Sequence, residues 1–220
     1  MSEEAGLITQ LQEVGKYMMD NDLAWGNAGN ISARSSENEF LITASGTYMG
    51  ELGGDDFVAC SLSGSNATSD KKPSKEVPMH TAIYSRRPEI TAVLHASPFY
   101  STLIACSDIA IPSELFVESM YYLERVERVP YEHPGSEALG KAVEKHAEKA
   151  NVLLLENHGV LVFDESIKEA RMALQTLEFA SKMLVEAKSA GIDLNKLPYY
   201  KVHEFLHHAG YKPRRRWEGS

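Results

Sequence analysis

Val152-Leu153-Leu154-Leu155-Glu156-Asn157-His158-Gly159-Val160-Leu161-Val162-Phe163 is the stretch on which the fold turns. Two apolar runs flank four residues suited to a tight connection, so the segment reads as two short buried strands joined by a turn. A helix follows directly. Ser166 and Glu169 form a capping-box pattern, Ile167, Ala170, Leu174, Leu177 and Leu184 make its apolar stripe, and Gly191 stops it.

Working upstream, residues 90–94 form another β-branched run ending at His95, and Pro98 is placed to open the next helix with Ser97 as its N-cap. Residues 136–146 are a further helix candidate, and Ser74 can cap one running to about Tyr84. Near the N-terminus Leu7, Leu11, Val14 and Met18 recur at spacings of four, three and four, one stripe of a helix. A Gly/Asn-rich loop at residues 25–30 leads into short strands at 31–34 and 40–43, separated by a polar turn. The Ser/Asn/Lys-rich stretch 64–72 reads as a mobile surface loop. Helices and strands interleave without a strict βαβ rhythm and without an internal repeat. The expectation is one α/β domain over residues 1–220, with a central, mostly antiparallel sheet flanked by helices and a short basic tail from about residue 212.

With 220 residues and 43% hydrophobic composition, the chain can fill one sizeable core. Acidic residues outnumber basic ones, 31 to 22, for a formal charge of -9. A uniformly acidic surface repels nucleic acid and anionic membranes, so neither is an expected partner. Lys212, Arg214, Arg215 and Arg216 are the basic exception and read as a solvated tail. Cys60 and Cys106 lie in apolar stretches and read as buried thiols of a reducing compartment. Glu3, Glu4 and Glu13 argue against a signal peptide, and no apolar run approaches the ~20 residues a membrane span requires. These features together describe a soluble, cytoplasmic protein.

Candidate chemistry gathers at strand ends. His95 ends one buried strand and His158 sits in the turn between two others, so each imidazole would be held rigidly at the sheet's edge, as a metal ligand must be. Glu76, at the start of a helix, offers a carboxylate. Two histidines and a carboxylate resemble the first shell of a divalent metal with room for substrate, although two distant histidines are more often ordinary structural residues. Residues 29–32 and 44–47 offer small side chains and backbone N–H groups that can cradle a phosphate; turns that require glycine would look the same.

Taken together and in order, these segments resemble the class II aldolase/adducin family. The matching pieces are Gly-Asn-Ala-Gly-Asn-Ile-Ser-Ala-Arg at 26–34, Ile-Thr-Ala-Ser-Gly at 42–46, Pro-Ser-Lys-Glu-Val-Pro-Met-His at 73–80, Ala-Val-Leu-His at 92–95 and Leu-Glu-Asn-His-Gly at 155–159. The resemblance implies a three-layer, single-domain fold, four chains in a ring with active sites between neighbours, and a small phosphorylated sugar as substrate. It also implies a divalent metal, usually zinc, that stabilises an enediolate as a C–C bond is broken. By position, Gly29, Asn30, Ser45, Gly46 and Ser74 correspond to the phosphate-binding set and His95 and His158 to metal ligands, while Lys75, beside Ser74, can pair with a phosphate or a carboxylate or point to solvent. Glu76 falls where the family's aldolases carry their acid/base glutamate, which favours an aldolase or other lyase over an epimerase. Decarboxylation, dehydration or epimerisation of a related sugar phosphate or sugar acid, and a non-catalytic adducin-like binding role, are the alternatives.

The sequence departs from the family pattern at two places. Ser97 stands where a third histidine is usual, and Lys75 where a small hydroxyl residue is common. Three repairs of the ligand set are open. Glu76 can coordinate permanently, His80, His133, His203, His207 or His208 can fold in, or tight metal binding can have been lost. If Glu76 is a ligand, Tyr121, Tyr122 or Tyr131 would serve as proton donor. Apolar residues in the stretches 99–103 and 116–123 are expected to form contacts between subunits.

Overall fold

A computed structural model describes residues 3–64, 70–215 and 217. In chain order its principal elements are α1 (Glu3–Asp20), β1 (Asn30–Ser36), β2 (Glu39–Thr43), β3 (Phe57–Ser61), α2 (Val77–Arg86), β4 (Ala92–Ala96), α3 (Phe99–Ala105), α4 (Val117–Tyr122), β5 (Val126–Val129), α5 (Glu137–Ala147), β6 (Val152–Leu155), β7 (Gly159–Asp164), α6 (Ile167–Ala190) and α7 (Tyr199–His208). The strands form one seven-stranded sheet in the order β3-β2-β1-β4-β7-β6-β5. Every neighbouring pair is antiparallel except β5 with β6.

Helices cover both faces, which is why β4, β6 and β7 are buried at every position rather than at alternate ones. In β7, Val160 and Val162 join the core formed with α1, α3, α4 and α6, where Leu11, Met18, Ile104, Leu174 and Leu177 are buried. Leu161 and Phe163 face the other way, onto Met79 and Ile83 of α2 and Leu139 and Val143 of α5. The expected three-layer, mostly antiparallel α/β architecture is the one observed. Among the described residues, no helix is long and apolar enough to cross a membrane.

Several local expectations are overridden by tertiary contacts. Ser97 does not cap α3: Pro98 is its N-cap residue, and the carboxylate of Glu178 on α6 accepts from Tyr100 N at 2.9 Å and Ser101 N at 2.8 Å. Ser74 does not cap α2, whose N-cap is Glu76; its hydroxyl accepts from Glu76 N at 3.2 Å. The Ser166–Glu169 capping box is half formed. Ser166 Oγ accepts from Glu169 N at 3.2 Å, while the Glu169 carboxylate turns to Lys212 Nζ.

Lys212 is part of the largest correction. The C-terminal segment is tied down, not solvated: Arg214 forms a two-pronged ion pair with Glu124, and Arg215, 8% exposed, pairs with buried Asp164. Arg216 lies outside the described residues, as does the centre of the 64–72 loop. Cys60 is buried as expected, but Cys106 is exposed. Of the two stretches expected to be exposed, Phe99, Leu103 and Val117 are, whereas Met120, Tyr121, Tyr122 and Leu123 pack into the core.

Candidate metal centre

Three elements that meet at one end of the sheet's middle bring Glu76, His95 and His158 together. His95 is the fourth residue of β4, His158 immediately precedes β7, and the β4–β7 ladder pairs His95 with Leu161 and Ala96 with Val160. Glu76 comes from the start of α2, packed against the same edge. Close backbone approach makes the convergence possible. Gly29 has φ +93, and a Cβ there would lie 2.6 Å from the His95 carbonyl oxygen; one on Gly159 would lie 2.6 Å from that of Ala96. Glycine is therefore required at both positions by space.

The donor atoms lie within 4.8 Å of one another. His95 Nε2 is 3.2 Å from Glu76 Oε2, and His158 Nε2 is 3.3 Å from Glu76 Oε1. The two imidazoles meet edge-on, centroids 4.7 Å apart. His95 Nδ1 donates to the Val160 carbonyl oxygen at 3.0 Å, which leaves Nε2 as the nitrogen aimed at the carboxylate.

Burial holds His95 below the ordinary histidine range, against the pull of the Glu76 charge. Burial also opposes ionisation of Glu76, but His95, His158 and the Asn30 amide outweigh it and hold the carboxyl at about 2. A neutral imidazole lone pair and a carboxylate oxygen facing each other at 3.2 Å repel unless a cation or proton lies between them. Glu76 Oε1 and His158 Nδ1 are buried with no hydrogen-bond partner among the described residues. Two imidazoles, one carboxylate and unsatisfied buried donor atoms fit a divalent cation with an open coordination position.

None of His80, His133, His203, His207 and His208 joins this cluster. His80 spends both ring nitrogens on Ser32 and Asn30, and His133 meets the Tyr131 hydroxyl at 3.2 Å. His203, His207 and His208 associate with one another on α7. Glu76 is thus the third donor beside the two histidines.

The centre opens into a cleft of about 450 Å³, whose wall includes Gly29, Ser45, Gly46, Ser74 and Lys75. Two of the expected phosphate amides are already committed: Ser45 N donates to Lys72 O at 2.9 Å, and Ser74 N to Thr43 O at 3.1 Å. What these residues can offer an anion is hydroxyl groups, beside the N-terminus of α2 and the exposed Lys75. Asn30, expected in the phosphate set, is 5% exposed, and its amide is engaged by Glu76 and His80. Thr47, in the 44–47 stretch read as a phosphate cradle, lines the cleft, and so does Trp25, 66% exposed, which was not singled out as a site residue; a Trp beside a Gly/Asn-rich loop was the available signal.

Tyr121 and Tyr122, expected as proton donors, are not brought to this cleft. The Tyr122 hydroxyl donates to Glu169 at 3.0 Å and that of Tyr121 to the Pro213 carbonyl at 3.2 Å, both under the C-terminal segment. Burial pushes Tyr122 up to about 12.

A family model for the Class II Aldolase and Adducin N-terminal domain matches residues 9–185. Among curated proteins, the chain is 30% identical to the 3-oxo-tetronate 4-phosphate decarboxylase of Haemophilus influenzae over 175 residues, 78% of this chain and 83% of that one. It is also 30% identical to the 5-deoxy-D-ribulose 1-phosphate aldolase of Bacillus thuringiensis serovar kurstaki over 178 residues, 80% and 83% of the two chains. Among solved structures, an L-fuculose 1-phosphate aldolase superposes with a TM-score of 0.83 at 26% identity, covering 93% of this chain and 95% of that one.

Proposed function

The chain belongs to the class II aldolase and adducin N-terminal domain family, and we propose that it is a divalent-metal-dependent lyase that decarboxylates a small phosphorylated 3-oxo sugar acid. The convergence of Glu76, His95 and His158 within 4.8 Å, at the base of a cleft suited to anions, carries this reading. When bound there, a divalent cation, for which zinc suits two imidazoles and a carboxylate, supplies Lewis acidity for the charge that gathers on the substrate's carbonyl oxygen as a C–C bond breaks.

The chain's own residues divide the remaining work. His95, fixed through Val160, and Glu76, fixed through Asn30, hold the donor set rigid. The Ser45 and Ser74 hydroxyls, Gly46 and the start of α2 receive the phosphate. Lys75, on the same wall, attracts and orients the carboxylate. In decarboxylation the bond from the carboxyl carbon to its neighbour breaks, CO2 leaves, and the neighbouring carbon keeps the electron pair and then takes a proton. No hydroxyl has to be deprotonated. That suits a cleft whose titratable lining, among the described residues, is Lys75, Glu76, His95 and His158.

Aldol cleavage of a ketose 1-phosphate is the second reading. It is favoured by a glutamate at position 76 and by the similarity to 5-deoxy-D-ribulose 1-phosphate aldolase. Assembly into a ring of four, with exposed Phe99 and Leu103 at its contacts, belongs to the same proposal and is read by light scattering.

The test is a substrate panel on zinc-loaded protein, following CO2 from phosphorylated 3-oxo acids and aldehyde from ketose 1-phosphates. Lys75→Met is expected to raise KM for the acid about tenfold, the loss of one exposed charge contact, and to leave a ketose phosphate nearly unaffected. His158→Ala should abolish turnover. Full activity in His158→Ala, or in chelator-stripped wild type, rejects the metal assignment.

A further inference from the structure

His80 lies on α2, one turn after Glu76, and is completely buried. It does not line the cleft, yet it belongs to a continuous row of hydrogen bonds that ends on Glu76. Asn30 Nδ2 donates to Glu76 Oε2 at 2.7 Å. Asn30 Oδ1 meets His80 Nε2 at 2.6 Å, His80 Nδ1 meets Ser32 Oγ at 2.7 Å, and Ser32 Oγ meets the Tyr84 hydroxyl at 2.8 Å. Ser32, His80 and Tyr84 are 0%, 0% and 1% exposed, so the interior of the row is shielded from solvent.

The direction of the row follows from its end. An ionised carboxylate only accepts, so Asn30 must present its NH2 to Glu76 and its carbonyl oxygen to His80. His80 must then carry its proton on Nε2 and accept at Nδ1. Ser32 donates to that nitrogen, and its oxygen accepts from the Tyr84 hydroxyl. Burial above all holds His80 down to about 3, which is consistent with a neutral, single-tautomer ring. An asparagine amide turned over would set its oxygen against the carboxylate at 2.7 Å, and a His80 N–H donating to Oδ1 reinforces the same orientation.

We propose that His80 is a positioning residue for the metal centre. Through Asn30 it pins Glu76 by Oε2, so that Oε1, which has no hydrogen-bond partner among the described residues, is the oxygen held ready for a cation beside His158 Nε2. This goes beyond the reaction assigned above and rests on that reading only in taking Glu76 as a metal ligand. The geometry also explains why His80, although only one turn from Glu76, does not stand in for the missing third histidine. Its two nitrogens are already used one layer behind the site, where outer partners tune a ligand's orientation and affinity.

Two measurements on the full chain test this. Nitrogen-15 NMR of histidine-labelled, metal-free protein should find His80 neutral with its proton on Nε2; a proton on Nδ1 overturns the proposal. Zinc titration calorimetry should then show His80→Leu binding about 10–100-fold more weakly than wild type, the usual effect of removing an outer-shell partner, with His80→Gln recovering most of the loss because its amide again donates to Asn30. Wild-type affinity in His80→Leu, or no recovery in His80→Gln when both melt cooperatively, overturns it as well. If His80→Leu does not fold, Asn30→Leu, which removes the link but keeps His80, must show the same weakening. Wild-type protein that binds no zinc defeats the metal reading of function, while the NMR result still decides the hydrogen-bond direction by itself.

Discussion

At the residue scale, the histidine that the chain buries without charge should show itself in the pH dependence of stability. His80 titrates near 6.5 in the unfolded chain and is held down to about 3 by burial in the fold. Between those values the unfolded state binds the extra proton, so stability is full above pH 6.5 and is lost as pH falls toward 3. The loss from His80 alone is about 2 kcal/mol between pH 7 and pH 5. Urea denaturation at the two pH values should show a steeper decline for wild type than for His80→Gln, by roughly that amount; parallel declines would mean that His80 is not neutral in the fold. Single residues were also where the sequence was most informative about the site. His95 and His158 were legible because each stands in a short motif at the end of an apolar run, and Glu76 because it stands in one at the start of a helix. The engagement of Asn30 was not, because its partner His80 lies fifty positions away and no local pattern joins them.

At the element scale, the C-terminal segment shows what composition conceals. Four basic residues in five, after a run of strands and helices, read as a solvated tail, yet three of them close onto acids contributed by the body of the fold. Arg215 meets Asp164 at the end of β7, where both side chains are 6% exposed. Glu124 and Glu169 take Arg214 and Lys212, and Trp217 is 4% exposed beneath Arg87 and Arg125. Burial pushes Asp164 up and the Arg215 charge opposes it, so removing Arg215 leaves a carboxylate with its desolvation uncompensated. Arg215→Met is therefore expected to lower stability by about 3–5 kcal/mol, and Arg215→Met with Asp164→Asn to recover a good part of it. Chemical denaturation of the two variants decides this; a single variant within 1 kcal/mol of wild type would return the segment to a passive role. The same lesson explains α3. Ser97-Pro98 is a good local start signal, but the carboxylate of Glu178, some eighty residues on, occupies the amides that Ser97 would have capped.

At the scale of the whole molecule, the donor set is assembled from three segments that are distant in sequence: Glu76 before α2, His95 on β4 and His158 before β7. The alternation of each strand between two covered faces was readable from the apolar runs, and with it the three-layer fold. Strand order was not, because β1 to β4 and β4 to β7 are long-range pairings that no local period encodes. A ligand that joins such distant segments binds the folded chain and not the unfolded one, so its binding energy adds to the stability of the fold. With free zinc at about 1,000 times its dissociation constant, the gain is about 4 kcal/mol. For a chain of this length that corresponds to a rise in Tm of about 8–16 °C. Melting curves with zinc, with chelator, and for His158→Ala under both conditions give the answer directly. The shift should be present in wild type and nearly absent in His158→Ala, whose midpoint with chelator should stay close to that of metal-free wild type. A shift of equal size in the variant would place the zinc elsewhere, with the imidazoles of α7 as the first alternative to examine. No shift in wild type would mean that two histidines and Glu76, with Ser97 where a third imidazole is usual, are too few to hold the ion.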